Sequence, residues 1–536
     1  MPTTNTRNST PRRREFLAGI SGSSVAAFGA PQSASAQPPG KPNILIVMTD
    51  QQRVGLTRRS GFPLNTMPAL DRLAARGAPC DGAYTTAPLC GPARVSMLTG
   101  RWPHAHRVRQ NAATGEARFE RDIFDVLRQA GYKTGLTGKN HSHLKPERLD
   151  FCRLYSHASG WTPEPAPAQS VEFTEWMKQL NHAVSEVPTP FPPETQYPFR
   201  IVSDAIEFID TPSQKPFALW VSFPEPHNPY QVPKPYFDMF PPESLSERAV
   251  GPEALKAKGF KWEWLHGLED RTYPGFDQNW RRLRSNYLGM LRLIDDQLAR
   301  LMDHMDSRGL LANTIIVFVS DHGDFVGDYG LMRKGVGIPE VLTRVPMIWY
   351  GPGIKPVSNV DALVSLADVM PTLCEAIGAP IPFGVQGRSL WPLLQGREYP
   401  REEFRSVYAE VGFGGLHYRN GDPVPPKTGM LSGAPGARPT FDELNSVTQS
   451  GNLKMVRWGN FKLTSDMMGE VQLYDLATDP FELKNLYGTP EVAAEQSRLL
   501  AELLKWTVRT EDDLPSSAYV PRRSSRNWYA QDAQPG

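Results

Sequence analysis

Residues 43–50 read NILIVMTD, an apolar run that ends in a carboxylate. Residues 314–321 repeat this design as TIIVFVSD, and residues 217–223, FALWVSF, form a third run that His227 follows closely. Runs that are apolar at consecutive positions are typical of strands buried on both faces of a largely parallel sheet. Because ligands of open α/β sheets bind beyond the carboxyl ends of the strands, we expect Asp50, His227 and Asp321 to meet at one edge.

Helical patterns lie between these strands. The segments that carry them are 67–76, 122–130, 171–183, 201–209 and the long stretch 280–307. Strands that alternate with helices predict an α/β fold, in which helices sandwich a large, mostly parallel sheet.

After about residue 400 the sequence no longer alternates between buried strands and helices. Residues 454–458 and 461–464 flank the turn Gly459-Asn460, which predicts a hairpin with a two-residue loop. A further strand at 471–474 and an amphipathic helix at 495–508 follow. We therefore predict a main domain over 37–400 and a smaller C-terminal α+β subdomain, containing an antiparallel sheet, over 401–536.

The N-terminal 36 residues have the pattern of an export signal. Residues 12–17, RRREFL, precede a weakly apolar stretch rich in Gly, Ala and Ser, and residues 34–36 supply small residues for cleavage. The arginine pair with its Phe-Leu is similar to a twin-arginine signal, which exports folded proteins. A disordered basic tail is the alternative. Since no later apolar run approaches the ~20 residues of a spanning helix, we expect a periplasmic or secreted protein without a membrane span, exported by the twin-arginine machinery.

The charge balance gives no indication of a nucleic-acid partner or of an acidic-membrane partner. The formal net charge is only +1 over 536 residues.

The chain has four cysteines, Cys80, Cys90, Cys152 and Cys374, which allow two disulfides in three pairings. If chemistry consumes Cys90, at most one bridge is left.

The segment LCGPAR at 89–94 carries the strongest chemical signal. Pro92 fits the first turn of a helix, which places Cys90 beside a helix N-terminus. Such a position favours anionic ligands and activated nucleophiles, so Cys90 is a candidate catalytic residue. The alternative is a small buried core residue.

This segment resembles the signature of the sulfatase family, within the alkaline-phosphatase-like superfamily. Residues 90–94 match its Cys-x-Pro-x-Arg pattern, residues 98–101 match the accompanying Leu-Thr-Gly-Arg, and the likeness runs from about Pro42 to Leu486. The resemblance implies that a formylglycine-generating enzyme oxidises Cys90 to formylglycine, whose hydrated aldehyde attacks a sulfate ester and forms a covalent sulfated intermediate. Ala93 stands where bacterial members usually carry Ser, a departure that could lower the efficiency of modification.

The resemblance also implies a metal site. Asp50-Gln51 looks like the family's first ligand pair and Asp321-His322 like the second, with Cys90 as a further ligand. Gln51 replaces the Asp most common there and lowers the negative charge of the site. Oxygen-rich ligands suit Ca²⁺, with Mg²⁺ or Mn²⁺ as alternatives. Taken singly, an Asp at a strand end can also be a cap or turn former.

Further residues match the family's sulfate-binding and catalytic positions. Lys139 and His141 in residues 131–141, GYKTGLTGKNH, match a sulfate-binding Lys and a catalytic His. His227 matches the next His and Lys334 a second sulfate-binding Lys. The resemblance implies that Arg94 holds the formylglycine, that His227, with or without Lys334, protonates the leaving alcohol, and that His141 takes a proton from the second hydroxyl. Asn111 is a weaker candidate for substrate binding, His104 and His106 are weaker still, and for all three we favour a structural role.

Three alternatives stay open for the function. Phosphonate monoester and phosphodiester hydrolases resemble sulfatases in fold, formylglycine and metal site, and also have the Asp-Gln and Asp-His pairs. A catalytically silent relative that binds sulfated glycans and an ordinary thiol-dependent hydrolase fit less well. The substrate, an aryl or carbohydrate sulfate, depends on the loops at 157–198, 228–280 and 411–450, where Trp161, Trp262 and Trp264 could stack on a ring or pack locally.

Overall fold

The computed structural model describes residues 40–112, 114–423 and 446–511. The predicted export signal at 1–36 and much of the loop predicted at 411–450 lie outside the described residues, and the domain boundaries stay predictions. The described strands are β1 (Asn43–Asp50), β2 (Ala78–Pro79), β3 (Ala83–Tyr84), β4 (Lys133–Gly138), β5 (Phe151–Ser156), β6 (Ser159–Gly160), β7 (Phe217–Pro226), β8 (Thr314–Ser320), β9 (Met347–Tyr350), β10 (Val364–Ser365), β11 (Ser406–Val411), β12 (Leu453–Trp458), β13 (Phe461–Asp466) and β14 (Val471–Asp475).

Helices follow or separate most of these strands. The described α-helices are α1 (Pro68–Arg76), α2 (Cys90–Thr99), α3 (Pro103–His106), α4 (Ile123–Gln129), α5 (Ala168–Leu180), α6 (Tyr197–Asp210), α7 (Tyr236–Met239), α8 (Leu255–Lys258), α9 (Phe260–Thr272), α10 (Trp280–Ser307), α11 (Glu340–Thr343), α12 (Val369–Ala376), α13 (Trp391–Leu394), α14 (Ser446–Gln449) and α15 (Ala493–Thr510). The segments predicted from periodicity all contain helices, although α5 and α6 begin a few residues earlier than expected.

The central sheet has eight strands in the order β2-β9-β8-β1-β7-β4-β5-β6. Its five central strands, β8, β1, β7, β4 and β5, run parallel, and the flanking strands pair antiparallel. The three apolar runs of the sequence are the three adjacent strands β8, β1 and β7. Every residue of these runs is buried, because helices cover both faces of the sheet.

Alternate side chains of the central strands enter two separate cores. Leu45 and Val47 of β1 pack on the face covered by α6 and α10, whereas Ile44 and Ile46 pack on the face with α4 and α12. This division follows from the period of two in a strand. The predicted sandwich of a mostly parallel sheet between helices is therefore confirmed.

A second sheet forms in the C-terminal part of the chain. Strands β11, β12, β13 and β14 pair antiparallel in that order, and Trp458 pairs with Phe461 across the predicted two-residue turn. Helix α15 packs its apolar side on this sheet through Leu499, Leu503 and Trp506. The predicted antiparallel sheet, hairpin and C-terminal helix are confirmed.

The expected loop position of two tryptophans is wrong. Trp262 and Trp264 lie in α9, and Trp262 is buried against Phe325 and Tyr329. Trp161 follows β6 and receives the Arg153 guanidinium on its face, 3.8 Å from the ring centroid.

Two further sequence questions have structural answers. All four cysteines carry free thiols, so the disulfide that the sequence left open is not formed. Among the helices of the described ranges, none is long and apolar enough to cross a membrane.

Candidate active site

The carboxyl ends of β1 and β8 bring the predicted metal ligands together. Thr49 pairs with Ser320, so Asp50 and Asp321 end neighbouring parallel strands. Four side chains, Asp50, Cys90, Asp321 and His322, offer ligand atoms that all lie within 4.8 Å of one another, and all four are buried. The sequence predicted that Asp50 and Asp321 meet at one edge of the sheet, and the structure brings them into one cluster with Cys90 and His322.

Cys90 enters this cluster as the first residue of α2, a helix whose ten residues are all buried. Its Sγ lies 3.6 Å from Asp50 Oδ1 and 3.3 Å from His322 Nε2. The Asn111 side-chain oxygen accepts a hydrogen bond from the Gly91 N–H at 2.9 Å, which satisfies one of the free donors of the helix N-terminus. The side chain of residue 90 therefore points at the metal-ligand cluster from a fixed helix end.

Arg94, one turn along the same helix, connects the two carboxylates. Its Nε donates to Asp321 Oδ2 at 2.8 Å, and its Nη2 lies 3.5 Å from Asp50 Oδ2. Its Nη1 donates to the Lys139 carbonyl at 2.7 Å and to Ser222 Oγ at 2.8 Å. The guanidinium thus contacts the carboxyl ends of β1, β8 and β4 and a residue of β7.

Lys139 follows directly on β4. Gly138 makes this possible, because its φ of 112° is left-handed and a Cβ there would meet the Ser222 carbonyl oxygen at 1.8 Å. The backbone N–H of Lys139 donates to that same oxygen at 2.8 Å. Its ammonium then reaches both the Asp50 carboxylate and His157 Nε2, the latter at 2.8 Å.

Lys334 is connected to the cluster through Gln51. Its Nζ donates to Gln51 Oε1 at 2.8 Å, and Gln51 Nε2 donates to Asp324 Oδ2 at 2.6 Å. Asp324 also accepts from the Tyr230 hydroxyl at 2.7 Å and from the Arg333 N–H at 2.9 Å. Asp324 therefore fixes the amide of Gln51 with its oxygen toward the lysine.

The two predicted catalytic histidines lie on different segments. His227 Nδ1 lies 2.7 Å from the Asn228 carbonyl oxygen, and the His227 ring stacks on His157. His141 Nε2 lies 3.2 Å from the carbonyl of Asn111, the residue that holds Gly91. His141 is thus adjacent to the segment that positions Cys90.

The cations of the site determine its ionisation. Burial alone would raise the pKa of the Asp50 carboxyl, but positive neighbours, led by Lys139, hold it well below its ordinary value. Burial and Asp50 also oppose ionisation of Cys90, yet Lys139 and further cations lower the pKa of its thiol to about 6. The site therefore stabilises an anion at the position of the Cys90 sulfur.

The donor set would fit a hard divalent cation if residue 90 supplied oxygen in place of sulfur. Asp50 and Asp321 supply two buried carboxylates and His322 an imidazole nitrogen within one cluster. The Cys90 Sγ stands where the oxygens of a formylglycine would be, which would make the set rich in oxygen, as Ca²⁺ prefers. Gln51 contributes no charge, and its amide oxygen is engaged by Lys334 in this structure.

The sequence did not predict several residues that contact the site. His157 and Ser222 belong to no recognised motif, and only the structure shows them. Asp324 had a signal, since it comes three residues after Asp321 at the end of a buried strand. The two histidines given a structural role lie apart from the cluster in ordinary polar contacts. These are His104 with Glu410, 2.7 Å apart, and His106 with Ser96, 3.0 Å apart.

Comparison with known proteins agrees with this geometry. The family model described as sulfatase matches residues 42–379. The choline-sulfatase of Rhizobium meliloti is 28% identical over 515 residues, covering 92% of this chain and 91% of its own length. The arylsulfatase of Clostridium perfringens is 30% identical over 495 residues, covering 87% of this chain and 94% of its own.

A solved structure supports the fold independently. The phosphonate monoester hydrolase of Agrobacterium radiobacter superposes with a TM-score of 0.70 at 23% identity, covering 88% of this chain and 96% of its own. This likeness confirms the alkaline-phosphatase-like fold. From the family match, the two relatives and the cluster at the sheet edge, we conclude that the chain belongs to the sulfatase family and is a sulfatase.

Proposed function

We propose that this chain hydrolyses sulfate monoesters to an alcohol and inorganic sulfate, with a formylglycine made from Cys90 as the nucleophile. One observation carries the proposal: the side chain of residue 90 lies between Asp50 and His322, at the N-terminus of a buried helix, among several cations. Such a position stabilises an attacking oxyanion and an anionic substrate together.

The metal ligands proposed are Asp50, Gln51, residue 90, Asp321 and His322. Ca²⁺, with Mg²⁺ or Mn²⁺ as alternatives, would supply a Lewis acid that polarises a sulfate oxygen and favours the ionised nucleophile. Arg94 would keep Asp50 and Asp321 in place, since it already contacts both carboxylates.

The substrate would be held by the two lysines and attacked in line. Lys139 uses two of its three N–H groups on Asp50 and His157, and the third would bind a sulfate oxygen. Lys334 now donates to Gln51 Oε1. In the substrate complex it would donate to a second sulfate oxygen, either in place of Gln51 or in addition to it. His227, whose Nδ1 is committed to Asn228, would protonate the leaving alcohol through Nε2. Asn111 is proposed as a weaker substrate contact.

A hydrated aldehyde explains how the enzyme would turn over. After the first hydroxyl has taken the sulfuryl group, His141 would remove the proton of the second hydroxyl. The carbon–oxygen double bond of the aldehyde would re-form as the bond between that carbon and the sulfate oxygen breaks, so that sulfate leaves without attack of water on sulfur. Addition of water to the aldehyde would then restore the hydrate, which accounts for the water consumed in the hydrolysis. A serine in this position lacks the second hydroxyl and could not release sulfate in this way.

Hydrolysis of phosphonate monoesters or phosphodiesters is the second candidate. Its substrates are tetrahedral monoanions like sulfate monoesters, and the structural likeness to the Agrobacterium radiobacter hydrolase extends over nearly the whole chain. The ratio of kcat/KM on an aryl sulfate to kcat/KM on the matching aryl phosphonate monoester separates the two candidates. We expect this ratio to favour the sulfate.

The test of the proposal starts with residue 90 itself. The protein is expressed with a formylglycine-generating enzyme, and the peptide across Cys90 is analysed by mass spectrometry. We expect a loss of about 18 Da relative to cysteine, together with release of inorganic sulfate from an aryl sulfate that Cys90→Ala abolishes. Modified protein that releases no sulfate contradicts the proposal. If Cys90 stays unmodified, Ala93→Ser tests whether the maturation enzyme rejects Ala93.

We also propose that the mature protein is exported to the periplasm or secreted by the twin-arginine machinery. Modification needs an unfolded chain and twin-arginine export carries a folded one, so conversion of Cys90 would precede export. Replacing Arg13 and Arg14 by Lys should retain the protein in the cytoplasm with Cys90 already converted. Active periplasmic protein with an unmodified Cys90 would disprove this order of events.

A further inference from the structure

His157 makes two contacts with residues proposed to carry out the reaction. It lies in the turn between β5 and β6, outside every motif of the sequence. Its Nε2 is 2.8 Å from Lys139 Nζ. Its ring lies flat on the ring of His227, with the centroids 3.6 Å apart and the planes inclined by 18°. One side chain therefore connects a proposed sulfate-binding cation to the proposed general acid.

The contact with Lys139 defines the state of the ring. An ammonium can only donate, so His157 Nε2 must accept and the hydrogen of the neutral ring lies on Nδ1. Asp50 and His157 then fix two of the N–H directions of Lys139. Because an ammonium is tetrahedral, the direction of its third N–H is determined as well.

The stack with His227 constrains the second residue. The Nδ1 of His227 is held by the Asn228 carbonyl, and the His157 ring limits rotation of its imidazole out of that plane. The neutral ring of His157 can also stack against a positively charged His227 ring, whereas a charged His157 ring would repel it. A protonated His227 is thus compatible with the stack as long as His157 accepts from Lys139.

We propose that His157 is a positioning residue for sulfate-ester hydrolysis, which directs the Lys139 ammonium at the sulfate and the His227 Nε2 at the leaving oxygen through two separable contacts. This inference rests on the proposed function and assigns His157 no contact with the substrate.

Two substitutions separate the contacts. His157→Phe keeps a flat ring against His227 but removes the acceptor for Lys139. His157→Gln keeps an oxygen near the position of Nε2 but removes the ring. His304→Gln is the matched control, because His304 also bonds a side chain through Nε2, to Asp210 at 3.0 Å, on the outer part of α10.

The expected effects differ in kind. Positioning partners of functional groups typically account for about 10- to 100-fold in affinity or activity. In protein that carries formylglycine and Ca²⁺, His157→Phe should raise KM and weaken inhibition by inorganic sulfate about tenfold, equally for good and poor leaving groups. His157→Gln should leave sulfate affinity near that of wild type and lower kcat more for phenyl sulfate than for 4-nitrophenyl sulfate, whose leaving group needs little protonation.

The same kinetic and inhibition measurements can overturn the inference. Wild-type values in both His157 variants, or an equal loss on both esters with unchanged sulfate affinity, would show that the residue only fills space. Failure of the proposed function is recognised separately, as modified wild-type protein that releases no sulfate. Calorimetric titration with inorganic sulfate still decides the Lys139 contact in that case: weaker binding in His157→Phe than in His157→Gln supports it, and equal binding overturns it.

Discussion

Two buried lysines, Lys462 and Lys139, lie in two parts of the molecule with very different sets of partners. Lys462, on β13 of the C-terminal sheet, is fully buried and donates to the Ile338 carbonyl at 2.7 Å, to Glu340 at 3.1 Å and to Glu482 at 2.9 Å. Three acceptors match the three donors of an ammonium. Lys139 is almost as buried, but its acceptors among the described residues are only Asp50 and His157.

The difference separates structural from functional buried charge. A cation whose donors all have partners connects elements of the fold, here the C-terminal sheet to the segment after Lys334. A cation with a donor to spare is costly unless a ligand completes its coordination. We therefore infer that Lys462 serves stability and that Lys139 serves an anionic substrate.

Exchanging each lysine for Met is the largest test of this comparison. Lys139→Met removes a cation aimed at the sulfate, and we expect kcat/KM to fall about 10³-fold. Its loss of stability should be smaller than that of Lys462→Met, because Arg94 still lies near the Asp50 carboxylate. Lys462→Met leaves Glu340 and Glu482 buried without their cation, and we expect a loss of roughly 3 to 5 kcal/mol of stability. Steady-state kinetics and chemical denaturation of both variants provide the measurements.

The outcome that would break the comparison is a reversal of the two effects. Lys462→Met should retain wild-type kcat/KM at a temperature where it is folded. If the comparison is right, Lys462→Met should not lose activity while folded, and Lys139→Met should not unfold the protein. The opposite result in either variant would show that the number of acceptors around a buried ammonium does not separate a structural lysine from a substrate-binding one.

Removal of metal should affect only the catalytic cluster. We expect a chelator to abolish activity and to lower the melting temperature, and Ca²⁺ to restore both. Ca²⁺ at 100 times its Kd would stabilise the folded state by about 2.7 kcal/mol. Asp321→Asn should lose this response, whereas Lys462→Met should keep it because its own cluster needs no ion. A melting temperature of wild-type protein that does not respond to chelator or Ca²⁺ would contradict the metal site.

These clusters also show how far sequence reasoning reaches. The buried strands were predictable because residues 43–50 and 314–321 are apolar at consecutive positions, and the site followed because both runs end in Asp. The Cys90 motif predicted a nucleophile by its resemblance, and that role stays a prediction. Trp262 was misplaced on a loop although it has Leu265 and Leu268 at helical spacing in the same segment, since nearby glycines and prolines obscured the pattern.

Contacts between distant segments had no comparable signal. The stack of His157 on His227 joins a turn after β5 to the end of β7, 70 positions away in sequence. Neither residue has a local pattern that encodes the other, because tertiary packing alone sets their distance. The same holds for Lys462, which looks like an ordinary strand lysine and meets Glu340 and Glu482 only in the folded chain.

Acid should weaken the structural cluster in a predictable window. Burial raises the pKa of Glu340, but Lys462 and Arg457 outweigh it and hold the pKa below the ordinary 4.5. A carboxylate with a depressed pKa contributes stability above its unfolded pKa and loses it as pH falls through its folded pKa. We expect Glu340→Gln to cost about 2 kcal/mol at pH 7, and this difference from wild type to shrink below pH 4.5. Denaturant titrations of both proteins from pH 7 to pH 3 test the window, and a constant difference would contradict it.

Asn111 gives the smallest and finest test, because it has a structural partner and is also proposed to contact substrate. Its side-chain oxygen accepts from Gly91 N–H at 2.9 Å, so Asn111→Ala should cost about 1 kcal/mol through the lost cap. Asn111→Asp keeps an accepting oxygen at the helix N-terminus and should recover that stability. If the side chain also faces the sulfate, its added negative charge should raise KM above that of Asn111→Ala. If the Asn111→Asp variant has wild-type stability and wild-type KM, Asn111 does not contact the substrate. Like Lys462, it would then be a structural residue whose polar group has its partners within the protein.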